Sequence, residues 1–309
     1  AGMIYRPIRE RDLTFLKEQA ERMLKATGHE EISLSSLSSS DYSGLQELVY
    51  FLIDEFRSKG VNISLPSLRI DAFALDVMSK VQDVKKSSLT FAPEGGSQRI
   101  RDVINKGLTE EVILKGAMDA FQSGWNRVKL YFMLGLPTET EEDIEGIAIL
   151  SDKIAREYYT IPKEERNGMV SIVSSTSFFV PKPFTPFQWT RMVTSEEFLE
   201  RQRFLNGKMK EQLNYKSIKY NWHEVELTIL EGVFARGDRR VGKVLYDAYK
   251  SGWVYDSWSE YFYTYNAMKV FAEKGVDPPF SRHTVRDYDE ILPWLFLDTG
   301  VSIAYLYKE

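Results

Sequence analysis

Residues 127–143 read RVKLYFMLGLPTETEED, an apolar run that ends in a glycine turn and an acidic segment. The run from Arg127 is rich in the aliphatic and aromatic residues that are typical of a buried strand. Thr140 is suited to cap a helix, and the acids at 141–143 suit the positive end of the helix dipole. This stretch therefore predicts a strand, a turn and a helix in succession.

The same alternation recurs along the chain. Strands that are apolar throughout and alternate with helices favour a parallel sheet covered by helices, either an open doubly wound sheet or a barrel. The sequence contains neither GxGxxG nor GxxxxGK[ST], which weakens the case for a nucleotide-binding open sheet. The further predicted strands are ISLSSL from Ile32, NISLPSLRI from Asn62, SLTFA from Ser88 and MVSIVSS from Met169.

The first predicted element is a helix, roughly residues 9–27, with no strand ahead of it. Because a barrel that lacks one strand exposes two sheet edges, which proteins normally avoid, we expect the natural polypeptide to extend upstream of Ala1. From Tyr215 the pattern changes to helices rich in aromatic residues. The sequence therefore predicts an α/β core over residues 1–214, a partial barrel lacking its first strand, and a mainly helical C-terminal region over residues 215–309.

Composition limits the classes of function. The 309 residues are 43% hydrophobic and carry a formal net charge of -5, so a sizeable core is expected and a global basic surface for nucleic acid is not. A nucleic-acid partner would need a local basic patch. The sequence has no apolar run of bilayer length and no signal-peptide core at its start, so no membrane contact and a cytoplasmic location are predicted.

The sequence contains no cysteine, and therefore no disulfide, thiol nucleophile or thiolate ligand for a metal cluster. The three histidines, His29, His223 and His283, lie far apart and show no ligand spacing. They are interpreted as surface or cap residues, and no metal site is predicted.

Polar or glycine-rich segments follow the predicted strands, where parallel α/β folds place their sites. Residues 35–42 form a loop dense in hydroxyl groups, which is equally explained by a helix cap. Residues 91–99, FAPEGGSQR, offer backbone N–H groups and the Glu94 carboxylate to a ligand, or a plain turn with Ser97 as N-cap. The Gly135–Pro137 turn is not explained by helix capping.

The order and intervals of SLSSSDY, FAPEGGSQRIRDVINKG, LGLPTETEED and FFVPKPFTPFQW resemble the radical S-adenosylmethionine (radical SAM) superfamily and its methylthiotransferase branch. The opening AGMIYRPIRER resembles the segment that follows the CxxxCxxC cluster loop in an uncharacterised cobalamin-binding branch. The barrel resemblance covers roughly residues 1–189, and the RGDRR and LPW segments extend the branch resemblance to the end. The implied fold is a radical SAM-type (βα)6 partial barrel.

The resemblance implies an enzyme in which a 4Fe-4S cluster binds S-adenosylmethionine and cleaves it to a 5'-deoxyadenosyl radical. Glu94 matches the turn residue that contacts the ribose, and Lys106 falls where the methylthiotransferases carry an arginine, a carboxylate partner. Arg69 ends the strand before that turn and faces either the cavity or a surface acid. The full set of implied cofactor-binding residues is Ser36, Ser38, Arg69, Glu94, Gly95, Gly96, Ser97, Lys106, Gly135, Leu136 and Pro137.

The sequence departs from the family pattern at the cluster, because this chain supplies no cysteine ligands. The chain as given is therefore expected to be inactive, while the complete protein would bind the cluster and, through an upstream domain, cobalamin. The substrate is not readable from the sequence. Two alternatives stay open: a non-radical barrel lyase or aldolase, and a cluster-free paralogue that binds a ligand or plays a structural role.

Two later segments also have alternative interpretations. Residues 180–189 carry three prolines and are expected to border the substrate opening. In Gly237–Arg240, Asp238 is interpreted as an N-cap with arginines on a solvated face, and a phosphate or RNA contact is the alternative.

Overall fold

The computed structural model describes residues 9–36, 42–64, 89–255, 269–271, 273–276 and 284–309. Helices and strands alternate through most of this length, as the apolar runs predict. Single 3₁₀ turns lie at Arg57–Lys59, Lys163–Glu165, Pro186–Trp189 and Tyr215–Ser217. The elements in chain order are α1 (Leu13–Thr27), β1 (Glu31–Ser33), α2 (Leu45–Phe56), β2 (Asn62–Ser64), β3 (Leu89–Glu94), α3 (Gln98–Val103), α4 (Glu110–Gln122), β4 (Arg127–Leu134), α5 (Glu141–Thr160), β5 (Ser171–Phe178), α6 (Ser195–Glu211), β6 (Ile218–Trp222), α7 (Val225–Arg236), α8 (Arg240–Lys250) and α9 (Ile303–Lys308).

All strand pairs in the described residues are parallel. The strands β3, β4, β5 and β6 form one sheet in that order, and β1 pairs with β2 in a second sheet. The prediction of an α/β fold with parallel strands is confirmed. The closure of a partial barrel and its open edge stay predictions, because residues 65–88, between β2 and β3, lie outside the described residues.

The larger sheet has two unlike faces. In β4, Val128, Leu130 and Leu134 are fully buried, and they belong to the main core together with residues of α4 and α5. The alternate side chains point to the opposite face, where Tyr131 is 43% exposed. Helices therefore cover one face, as parallel crossovers require, and leave the other more open.

The strand β6 was not predicted from the sequence. It reads IKYNW and pairs in parallel with β5, with Ile218 opposite Ile172 and Trp222 opposite Thr176. Its side chains are only partly buried or exposed, so it lacks the apolar run that marks a central strand. The sheet thus continues past the boundary predicted at residue 215, and the division into two domains stays a prediction.

The C-terminal residues pack against the segment that follows β5. Trp189 is 5% exposed and forms an apolar cluster with Leu292, Trp294 and Leu306. The buried Gln188 accepts a hydrogen bond from Trp294 Nε1 at 2.8 Å. The C-terminal region therefore packs against the end of the predicted substrate-opening segment, residues 180–189.

No helix in the part of the chain that the structure describes combines the length and apolar character needed to cross a bilayer.

Candidate functional site

The turns after β3 and β4 lie at the same edge of the larger sheet. The two strands are parallel neighbours, and Glu94 stands opposite Phe132 in their ladder. Gly135 follows three residues after Phe132, directly beyond the end of β4. Since ligands of parallel α/β folds bind at the carboxyl ends of strands, these two turns are the first place to examine.

Glu94 has a strained backbone. Its φ of 67° lies in the left-handed region, which residues other than glycine rarely adopt. The β3–β4 register shifts between Phe91 and Glu94, a bulge of the kind that re-aims side chains near binding sites. The Glu94 carboxylate lies 3.3 Å from Lys106 Nζ, and both side chains are partly exposed. A strained, ion-paired carboxylate at a strand end supports a hypothesis of function.

The two glycines of the β3 turn allow close packing. A Cβ on Gly96 would lie 2.3 Å from the Asp143 carbonyl oxygen and 2.4 Å from Ile147 N, both in α5. The approach is mutual, because a Cβ on Gly146 would lie 2.9 Å from Gly96 C. A Cβ on Gly95 would meet Ile100 at 2.4 Å. Because these glycines have no side chain, the β3 turn packs directly against α5 and α3.

Asp143 ties the two turns together. Its side chain is 3% exposed and accepts hydrogen bonds from Ser97 Oγ, the Arg99 guanidinium and the backbone N–H of Thr140. Burial raises the pKa of Asp143, but the hydrogen bonds from Arg99, Ser97 and Thr140 outweigh it and lower the pKa below its ordinary value. Ser97 also caps α3, as predicted, and Thr140 caps α5 in a capping box with Asp143.

Arg101 binds the backbone of the β3 turn from the protein interior. Its side chain is buried, and Nη1 donates to the carbonyl oxygens of Gly95 and Gly96 at 3.1 Å each. Burial lowers the pKa of Arg101. These hydrogen bonds satisfy the two carbonyl oxygens of the turn within the protein, and they fix the backbone of the turn.

The β4 turn is anchored by a buried carboxylate. Glu139 is 3% exposed, and its Oε2 accepts hydrogen bonds from Gly135 N at 2.8 Å and Arg201 Nε at 3.2 Å. Burial is the main influence on this group and raises the pKa of Glu139 from 4.5 to about 7. Gly135 has a φ of 81°, and a Cβ there would lie 2.8 Å from Phe198 and from Val193. Only glycine fits this position.

Leu136 is an interior residue. It is 3% exposed and packs with Ile100 and Phe179. Pro137 is partly exposed. The prediction that Gly135–Pro137 faces a ligand therefore rests on the turn backbone and Pro137, because the other two positions are committed to packing.

Eight of the eleven predicted site residues lie at the shared edge of β3 and β4. The exposed Ser36 follows β1 in the other sheet, so its convergence with Glu94 and Gly135 stays a prediction. Ser38 and Arg69 lie outside the described residues. The residues at the shared edge of β3 and β4 are Glu94, Gly95, Gly96, Ser97, Lys106, Gly135, Leu136 and Pro137.

Sequence reasoning missed the residues that hold the two turns in place. Asp143 appeared only as a first-turn acid, and Glu139 and Arg201 carried no signal. Their partners lie far along the chain, 46 residues for Ser97–Asp143 and 62 for Glu139–Arg201. A single sequence does not show such pairings.

The donor set of this chain does not fit an iron-sulfur cluster. The sequence has no cysteine, and such clusters are held by thiolates. Among the described residues no group of three or more histidine or acidic side chains could hold a metal ion. Any cluster ligands must come from sequence other than this chain.

Comparison with known proteins covers both turns. The family model of the radical SAM superfamily matches residues 2–150, which include β1 to β4 and the first half of α5. Residues 2–150 are a radical SAM superfamily domain. The strained Glu94 turn and the Gly135 turn both lie inside this domain. Proteins of this superfamily use S-adenosylmethionine and a 4Fe-4S cluster, and their domains have an α/β fold with parallel strands.

A relative extends the match beyond the radical SAM domain. An uncharacterized protein of Methanocaldococcus jannaschii is 35% identical over 245 residues, which are 79% of this chain and 50% of the relative. The chain thus spans about half the length of that relative.

Proposed function

We propose that this chain is the S-adenosylmethionine-binding part of a radical SAM enzyme, and that the turns after β3 and β4 hold the nucleoside end of the cofactor. One observation carries the proposal: the strained Glu94, at a bulge on the carboxyl edge of the sheet, lies inside the radical SAM domain. Strain of this kind persists where the surrounding structure fixes it. Here Arg101 and Asp143 do so.

Each turn has a separate role in this proposal. The Glu94 carboxylate accepts hydrogen bonds from the ribose hydroxyl groups, and Lys106, 3.3 Å away, pairs with the carboxylate of the methionine end. The backbone at Gly135 and the ring of Pro137 border the adenine. Ser36 is predicted to contribute to the same site, as are Ser38 and Arg69, which lie outside the described residues.

The proposal assigns no cluster ligand to this chain. The thiolates would come from a CxxxCxxC loop directly ahead of Ala1 in a longer protein, and the chain alone would not cleave S-adenosylmethionine. Binding of cobalamin through an upstream domain stays a prediction from the branch resemblance. A non-radical lyase or aldolase is not favoured, because the domain match is to the radical SAM superfamily.

The test compares this chain with a longer protein that carries the upstream loop. After anaerobic reconstitution with iron and sulfide, the longer protein should show iron-sulfur absorbance. With dithionite and S-adenosylmethionine it should release 5'-deoxyadenosine. This chain should show neither, because it has no thiolate. Absence of 5'-deoxyadenosine from the reconstituted longer protein would contradict the proposed reaction. A cluster in the cysteine-free chain would contradict the ligand argument.

A further inference from the structure

The RGDRR segment begins α8 differently from the way its sequence predicts. Asp238 does not occupy the N-cap position, which belongs to Arg239. The Asp238 carboxylate instead accepts hydrogen bonds from the backbone and the guanidinium of Arg240, the latter at 2.7 Å. The charges of Asp238 and Arg240 therefore compensate each other within the segment.

A cavity of about 460 Å³ lies along α8. Arg239, Lys243 and Tyr246 are spaced four and three residues apart, so they line one side of the helix and all face the cavity. Lys274 forms the opposite wall and is ion-paired with Asp247. The cavity is widely open to solvent.

The walls of this cavity are held by packing and hydrogen bonds. Val241 and Val244, on the inner side of α8, pack with Phe271 and Val276. Arg240 Nη1 donates to the carbonyl oxygen of Gly275 at 3.1 Å, which ties α8 to the segment that carries Lys274. The cationic side chains therefore project from a packed support.

The cavity carries an excess of positive charge in a protein whose formal net charge is -5. The lining has three cations, Arg239, Lys243 and Lys274, against one carboxylate, Asp247, which Lys274 pairs. Within the described part of the chain no ion pair is recorded for Arg239 or Lys243. The Arg239 guanidinium lies 5.4 Å from the centre of the Phe296 ring, a contact that orients it without neutralising it.

The side chains match the parts of a nucleotide. A guanidinium and an ammonium one helical turn apart suit a phosphate group, because arginine binds its oxygens in a bidentate manner and lysine supplies a point charge. Tyr246 is 61% exposed and offers a ring face for stacking with a base. An acidic peptide could also pair with these cations, but its carboxylates would not stack on the Tyr246 ring.

We propose that this cavity binds the phosphate group of a nucleotide through Arg239 and Lys243, with the base against Tyr246. The site lies outside residues 2–150 and is separate from the proposed S-adenosylmethionine site. The phosphate belongs either to a free nucleotide or to a nucleic acid. The chemistry at Arg239 and Lys243 is the same for both sources.

Isothermal titration calorimetry on the full chain tests this, with AMP, CMP and inorganic phosphate as probes. CMP lacks the adenine that the β4 turn would recognise, and inorganic phosphate lacks both base and ribose, so a loss of binding in the cavity variants assigns these probes to the cavity. Arg239→Gln and Lys243→Gln should each weaken CMP and phosphate binding about tenfold or more, as expected for loss of a charged hydrogen bond. Tyr246→Leu should weaken CMP binding and leave phosphate binding unchanged.

Lys210→Gln is the matched control, since Lys210 is an exposed lysine on α6 outside the cavity. Its affinity for every probe should equal that of the unaltered chain. An equal loss in Lys210→Gln, unchanged affinity in both cavity variants, or no binding of any probe would overturn the proposal. A single-stranded oligonucleotide that binds more tightly than CMP, with the same variant losses, assigns the phosphate to a nucleic acid. The reverse order assigns it to a free nucleotide.

Discussion

At the scale of single residues, Glu139 lies in an environment unlike that of an ordinary solvent-exposed glutamate. Its carboxylate is buried beneath the β4 turn, where Gly135 N and Arg201 Nε donate to one oxygen. These donors favour the ionised form, whereas removal from water disfavours it. The second effect is larger, and the pKa rises from 4.5 to about 7.

This pKa predicts a pH dependence of stability. Because the pKa of Glu139 is higher in the folded than in the unfolded chain, its contribution to stability is fully present below about 4.5 and is lost as pH rises through about 7. Glu139→Gln keeps an oxygen for Gly135 N but cannot ionise. The variant should therefore gain stability relative to the unaltered chain between about pH 5 and about pH 8, by up to about 3 kcal/mol.

Urea unfolding of the two proteins across this pH range measures the difference. Glu141→Gln, an exposed glutamate two residues further along, controls for the loss of one negative charge. If the unfolding free energies of Glu139→Gln and the unaltered chain run parallel with pH, the raised pKa of Glu139 is wrong.

Local signals made part of the site predictable. Ser97 and Thr140 cap their helices as their sequence positions indicate, because a cap bonds only within its own first turn. Glu94 could be singled out by its place after a strand, but its positive φ could not. The support from Arg101, Asp143 and Glu139 depends on tertiary packing, which a single sequence does not reveal.

At the scale of elements, the packing of the β3 turn against α5 is the contact that fixes the candidate site. Gly96 and Gly146 approach so closely that neither has room for a side chain. The Asp143 hydrogen bonds to Ser97 and Arg99 close the same contact. A change in the spacing of turn and helix would move Glu94 with it.

Gly96→Ala should therefore destabilise the protein by about 1 to 3 kcal/mol, since its Cβ would overlap the backbone of α5. Gly207→Ala in α6 is the matched control, because its Cβ meets nothing within 4 Å and alanine favours a helix. Thermal unfolding of both variants measures the effect. Equal melting temperatures for the two variants would show that the close approach at Gly96 does not constrain the structure.

The described strands differ in how far the sequence alone predicts them. The strands β1 to β5 follow from apolar runs, and β4 and β5 bury every second side chain fully or nearly so. The edge strand β6 mixes Lys219, Asn221 and aromatic residues, so its sequence does not indicate a strand. Only its pairing with β5 identifies it as one. Edge strands of this kind are recognised from the sheet rather than from their own composition.

At the scale of the whole molecule, the C-terminal region packs against the segment that follows β5. Gln188 accepts from Trp294 Nε1, and Arg236 Nη1 donates to the Gln188 carbonyl oxygen at 3.2 Å. These contacts join the end of α7 and the Trp294 segment to the chain that leaves the sheet after β5.

The central claim, that the β3 and β4 turns hold S-adenosylmethionine, is tested most directly by calorimetric titration of this chain. Glu94→Ala should weaken both S-adenosylmethionine and methylthioadenosine by about 1 to 3 kcal/mol, because both ligands carry the ribose. Lys106→Ala should weaken S-adenosylmethionine alone, since methylthioadenosine has no carboxylate. Glu111→Ala, at an exposed glutamate in the first turn of α4, should change neither affinity. Unchanged affinity for both ligands in Glu94→Ala would contradict the account.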